Sequence, residues 1–139
     1  MDWLNAEGYP DPTAAEAIEN VTREEMRKEW KPCVFICSPY GGDVTLNTEK
    51  AKRYLRFAVD EGAIPFAPHL LYPQVLKDEN PVERELGLFF GIVWLGKCDE
   101  MWVFGSTIST GMAKEIAKAR KRGIPIRYFT DTCQEVDHL

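Results

Sequence analysis

Between residues 101 and 115 the chain passes from a continuous apolar run, Met101-Trp102-Val103-Phe104, through a loop of glycine and small hydroxyl residues into a helix-patterned stretch. A run apolar on both faces suits a strand buried in a parallel sheet, and a strand joined to a helix by a short glycine-rich turn is the repeating unit of α/β sheets. The same pattern occurs at Cys33-Val34-Phe35-Ile36-Cys37, which ends at Ser38-Pro39-Tyr40-Gly41-Gly42. Residues 47 to 61 then carry Ala51, Tyr54, Leu55, Ala58 and Val59 at helical core spacing, with Gly62 as a natural stop.

Ala63-Ile64-Pro65-Phe66-Ala67 reads as a second strand, although Pro65 has no N–H to donate to a ladder. A loop from Pro68 to Glu79 follows. Asn80-Pro81-Val82-Glu83 then carries a helix-start signature, a capping side chain followed by proline at the first helical position. That helix runs through Leu86, Phe89, Phe90, Val93 and Trp94, more large apolar surface than one buried stripe needs; a subunit interface and a helix sandwiched within the domain both account for it. Residues 100 to 104 form the third strand, 110 to 122 a helix ended by Gly123, and 124 to 129 the fourth strand. Right-handed crossovers then give a three-layer α/β domain, a Rossmann-like or flavodoxin-like parallel sheet of four to five strands with helices on both faces. Residues 32–139 are assigned to this domain and residues 1–31 to a helical arm, with a helix over 12 to 29 built on Ala14, Ala17, Ile18, Val21 and Met26.

At 139 residues with 45% hydrophobic content, the chain is sized for one domain with a real core. A net charge of −5 and the lack of any long Lys/Arg block argue against a grip on long nucleic acid. No apolar stretch approaches the roughly 20 residues that span a bilayer, and the start of the chain resembles no signal sequence, so a cytoplasmic location is expected. Cys33, Cys37, Cys98 and Cys133 form no Cys-x-x-Cys pair and read as buried reduced thiols; with His69 and His138 the only histidines, no metal site is expected.

In open α/β sheets ligands bind beyond the carboxyl ends of the strands, where three loops of this chain converge. The first contributes Ser38, Tyr40, Gly41, Gly42 and Asp43, the second His69, and the third Ser106, Ser109, Thr110 and Gly111. The glycine-rich stretch Ser38-Pro39-Tyr40-Gly41-Gly42 matches neither the P-loop nor the dinucleotide pattern, which disfavours an ATPase or an ordinary dehydrogenase. The exposed N–H groups of a helix beginning near Ser109 suit an anionic ligand, and Glu115 would face the same crevice. Simpler roles stay open: Gly41-Gly42 as a turn, Asp43 and Ser109 or Thr110 as helix caps, His69 as a loop residue, Glu115 as a surface partner of Lys118.

The stretches Val34-Phe35-Ile36-Cys37 with its Gly-Gly loop, Cys98-Asp99-Glu100-Met101-Trp102-Val103-Phe104-Gly105 and Ser109-x-Gly111-x-x-x-Glu115 resemble the nucleoside 2-deoxyribosyltransferases and the related deoxynucleoside 5′-monophosphate N-glycosidases. Ala67-Pro68-His69-Leu70-Leu71-Tyr72-Pro73 and Glu83-Arg84-Glu85-Leu86-Gly87 resemble a phage-associated branch of that superfamily. The resemblance covers residues 33 to 129. It implies Glu115 as the nucleophile that attacks the anomeric carbon, kept ionised by helix-end N–H groups, with Ser109 and Gly111 holding the 5′ end of the sugar or its phosphate. Two positions depart from the family: Gly91 falls at or near its aspartate acid, and Phe35 replaces a tyrosine that orients the nucleophile in several members. His69, Tyr72, Glu83 or Glu85 are then candidates to supply a proton.

The expectation is a cofactor-free domain binding a nucleoside, nucleotide or related ribosyl compound, as a homo-oligomer. It acts as an N-glycosidase or deoxyribosyltransferase, or as a catalytically silent nucleotide sensor or sponge.

Overall fold

A computed structural model describes residues 30–137. The chain divides into two compact units, Met1–Lys31 and Pro32–Leu139, and the account below concerns the second. The helix expected over 12 to 29 lies outside the described residues.

Five strands form one sheet: β1 (Cys33–Cys37), β2 (Ile64–Phe66), β3 (Glu100–Phe104), β4 (Ile126–Phe129) and β5 (Glu135–Val136). Their order is β2-β1-β3-β4-β5, parallel throughout except for β5, which runs antiparallel to β4. Three α-helices connect them: α1 (Val44–Asp60), α2 (Pro81–Leu95) and α3 (Thr110–Lys121). The fold is therefore the expected three-layer α/β arrangement.

Strand alternation sorts the core into two halves. Val34, Ile36, Trp102, Phe104 and Phe129 pack with Tyr54 and Ala58 of α1. Phe35, Cys37, Met101 and Val103 face the other way, against Leu95 of α2 and Met112, Ile116 and Ala119 of α3. The α1 half is aromatic: Tyr54 stacks on Phe104 at 4.2 Å between centroids, and Phe104 on Phe129 at 4.9 Å. Burying each such ring is worth about 2–3 kcal/mol.

Several boundaries differ from those expected. α1 begins at Val44, three residues early, because Asp43 accepts from Leu46 N and caps the helix there. β2 is limited to Ile64–Phe66, since Ala63 N returns to Ala58 O and closes the end of α1. Pro65 fits because β2 is an edge strand. The stretch after β2 is not a plain loop; it holds two 3₁₀ turns, Pro68–Leu70 and Tyr72–Gln74. β4 starts at Ile126, because Pro125 lacks the N–H with which to extend it.

Asn80 caps α2 as expected, accepting from Val82 N and Glu83 N with Pro81 at the first helical position. α2 is not sandwiched: its fully buried residues are Gly91 and Leu95, while Val82, Leu86, Phe89 and Val93 are exposed. Of the four free cysteines only Cys37 is fully buried, which corrects the reading of all four as core thiols. Asp99 holds the start of the sheet, its carboxylate accepting from Cys33 N at 2.8 Å while its own N–H donates to Cys33 O. Among the described residues no helix is long and apolar enough to cross a membrane.

Candidate functional site

In the order 2-1-3-4 the chain leaves β1 toward one edge and resumes at β3 toward the other, so the loops after β1 and β3 part and open a crevice between them. A cavity of about 480 Å³ lies there, within the ~300–1,000 Å³ usual for small-molecule pockets. Tyr40 and Gly41 line it from the β1 loop, Pro68, His69 and Tyr72 from the 3₁₀ turns after β2, and Ser109, Thr110 and Gly111 from the start of α3. All three expected loops thus reach one cavity. Glu115, in the second turn of α3, completes that side.

The Glu115 carboxyl is wedged between β1 and α2. Its Oε1 lies 3.5 Å from the buried Cys37 Sγ, and a Cβ built at Gly91 would stand 3.6 Å from its Oε2. It forms no ion pair with Lys118 among the described residues. Burial pushes its pKa up to about 8, with the Cys37 hydrogen bond pulling in the opposite direction. The carboxyl is therefore mainly protonated at neutral pH, contrary to the expectation that helix-end N–H groups keep it ionised. Glu115 lies beyond the first turn, where the helix field has faded, and desolvation dominates.

Ser109 is the N-cap of α3, its Oγ accepting from Met112 N at 3.2 Å while the residue also lines the cavity. Capping and ligand contact are compatible at this position. Ser38 is buried and does not line the cavity; its Oγ lies 3.1 Å from His69 Nε2 and fixes that ring. Burial lowers the His69 pKa to about 4, so the imidazole is neutral at pH 7 and is a poor proton donor there. Tyr40 stands beside it, with ring centroids 6.0 Å apart, and burial together with the Asp78 charge raises its phenol pKa.

Besides Ser38, three more expected site residues fall outside the cavity. Gly42 is the turn residue, with φ +80°, and Asp43 is the α1 cap. Ser106 lines a separate depression of about 110 Å³ on the α1 side, beside Lys50, Tyr54 and Asp131. Glu83 and Glu85, named from sequence as candidate proton donors, line the cavity from the amino-terminal turns of α2. Pro81, Arg84, Gly87 and Leu88 beside them escaped the sequence reading; the i, i+3, i+4 spacing along the helix was the available signal. Lys114 reaches across to Glu85 at 3.8 Å, an exposed pair joining α3 to α2. Tyr72 is fixed on α2 by its hydroxyl, which accepts from Trp94 Nε1 at 2.6 Å. Among the described residues no cluster of metal-ligating side chains occurs.

These features define a three-layer α/β domain with a cavity beyond the carboxyl ends of its parallel strands, and a solved structure shares that fold. The 2-deoxyribosyltransferase of the psychrotolerant bacterium Bacillus psychrosaccharolyticus matches over 76% of this chain and 77% of that one, with a TM-score of 0.55 and 19% sequence identity. At that identity the likeness is one of fold. The chain belongs to the family described as a domain of unknown function, DUF7768, which matches residues 32–129. No curated protein matches the sequence.

Proposed function

We propose that the domain binds a nucleoside or nucleoside monophosphate in this cavity and cleaves or transfers at its N-glycosidic bond. The observation that carries this reading is the placement of one desolvated carboxyl, Glu115, on the wall of a cavity built by the loops after β1, β2 and β3. A carboxylate stripped of water is poised to attack an electrophilic carbon and to stabilise the oxocarbenium-like charge that develops there. In the ionised form Glu115 Oε2 bonds to the anomeric carbon as the C–N bond breaks; the bonding pair leaves with the base, which takes a proton from water. Water then releases the sugar from the ester, or a second base accepts it, and the carboxylate is restored. Ser109 and Gly111 hold the 5′ side, and the exposed cations Arg84 and Lys114 favour a phosphate.

A second reading, ligand binding without turnover, is favoured by two observations. Gly91, beside Glu115, carries no acid, and His69 is neutral at pH 7. One experiment separates the two readings. Ribo- and deoxyribonucleosides, their monophosphates and dinucleotides are incubated with the protein and assayed for released base, with Glu115→Ala as control. The enzyme reading expects release that disappears in the variant, with kcat/KM rising as pH passes through about 8 and Glu115 ionises. No release, with a ligand-induced rise in Tm, is the outcome for a binding protein.

A further inference from the structure

The last residue of β1 places a thiol against the Glu115 carboxyl. Cys37 is 0% exposed and lies on the face of β1 that packs against α3. Its Sγ stands 3.5 Å from Glu115 Oε1, with Met112 O more distant at 3.9 Å. Among the described residues no other side chain is hydrogen-bonded to Glu115. The neighbouring titratable groups lie on several elements: Glu83, Arg84 and Glu85 on α2, Lys114 on α3, His69, Tyr72 and Asp78 on the segment between β2 and α2, and Tyr40 on the loop after β1. None of these bonds the carboxyl. Phe35, two residues earlier on the same face, is a hydrocarbon and donates nothing.

We propose that Cys37 is a positioning residue for Glu115: its S–H donates to Oε1, fixes the plane of the carboxylate and leaves Oε2 as the oxygen that bonds to the anomeric carbon. The inference rests on the glycosidic reading above. Burial and the adjacent Glu115 charge push the thiol pKa well above its ordinary value, so the proton stays on sulfur and Cys37 is a donor rather than a second nucleophile. In the reaction the Oε2–C1′ bond forms as the C1′–N bond breaks, and the departing pair is protonated on the base by water. Oε1 becomes the ester carbonyl and still accepts from the thiol. When the ester is resolved the electron pair returns to Oε2, and the sulfur proton has moved at no stage.

Substitutions at Cys37 separate donation from packing, because the two rank the variants in opposite order. As a core filler the site prefers Ala or Val to Ser, whose hydroxyl is costly to bury unpaired. As a donor it prefers Ser. We expect Cys37→Ser to retain most of kcat, and Cys37→Ala and Cys37→Val to lose about tenfold in kcat with KM little changed, the scale of one hydrogen bond. The ionisation limb of kcat/KM should move to higher pH in Ala and Val and stay in place in Ser, since only the donor favours the carboxylate. Val matching the native protein, or Ser falling with Ala, would overturn the proposal.

A readout that needs no turnover is the infrared S–H stretch, assigned to Cys37 by subtracting the Cys37→Ser spectrum. The band is expected to shift to higher frequency in Glu115→Ala and to move as pH crosses about 8. An unmoved band overturns the proposal whatever the activity. A moving band in a protein that releases no base supports the contact and counts against the glycosidic reading alone.

Discussion

Glu115 and His69 are both largely shielded from bulk water, and the two burials push stability in opposite directions with pH. The Glu115 pKa rises from an ordinary 4.5 to about 8, so between those values the folded state keeps a proton that the unfolded chain releases. Its contribution is complete below about 4.5 and is lost as pH rises through about 8, a change of at most a few kcal/mol at ~1.4 kcal/mol per unit. His69, lowered from 6.5 to about 4, does the reverse: its contribution is present above 6.5 and is lost as pH falls toward 4. Melting curves of Glu115→Gln should gain on the native protein steadily from pH 5 to pH 9, and His69→Gln should flatten the acid side. Equal Tm differences at both pH values would show that Glu115 is not desolvated. At this scale the candidate acid was legible because it sits at a strand-loop-helix junction. Its protonation was not, because that depends on burial against Cys37 and Gly91, contributed by elements remote in sequence.

The strands that carry the site were readable as uninterrupted apolar runs, and β1 and β3 begin and end where the pattern places them. β5 was not located, since two residues carry no periodicity; it is held by the Thr130–Gln134 turn and by Arg127, whose guanidinium makes two 2.8 Å bonds to Glu135 while lying 4.7 Å over the Trp102 ring. Helix ends were legible where a capping side chain precedes proline, as at Asn80, and less so at Asp43, where the β-branched Val44 and Thr45 conceal the start of α1. Caps give a test at the same scale. Asn80→Ala removes the acceptor for two α2 N–H groups and should cost about 1 kcal/mol in denaturant unfolding without touching the α3 side of the cavity. Ser109→Ala should cost a similar amount and in addition weaken binding of a phosphorylated nucleoside more than that of its unphosphorylated form. Equal weakening of both would place the phosphate away from α3.

For the whole molecule, the sheet explains why the cavity is where it is, and α2 leaves a question of its own. The helix turns one side to the cavity and another to solvent, where Val82 (77% exposed), Leu86, Phe89 (60% exposed) and Val93 recur at spacings of four, three and four. Such a stripe matches the seam by which helices pair, and on a two-fold axis it is complementary to its own copy. We propose a second copy of the chain as the occupant, one of the two explanations the excess of apolar residues left open in the sequence. Light scattering should give a mass above that of one 15.9 kDa chain. Phe89→Glu, which sets two carboxylates against each other across the axis, should return it to a monomer with little change in Tm extrapolated to low protein concentration, because Phe89 contributes little to the core. A monomeric native protein would discard this arrangement. A monomeric Phe89→Glu that also loses nucleoside binding would mean that pairing through α2 holds Glu83, Arg84 and Gly87 in place along the cavity, linking assembly to the site through a single helix.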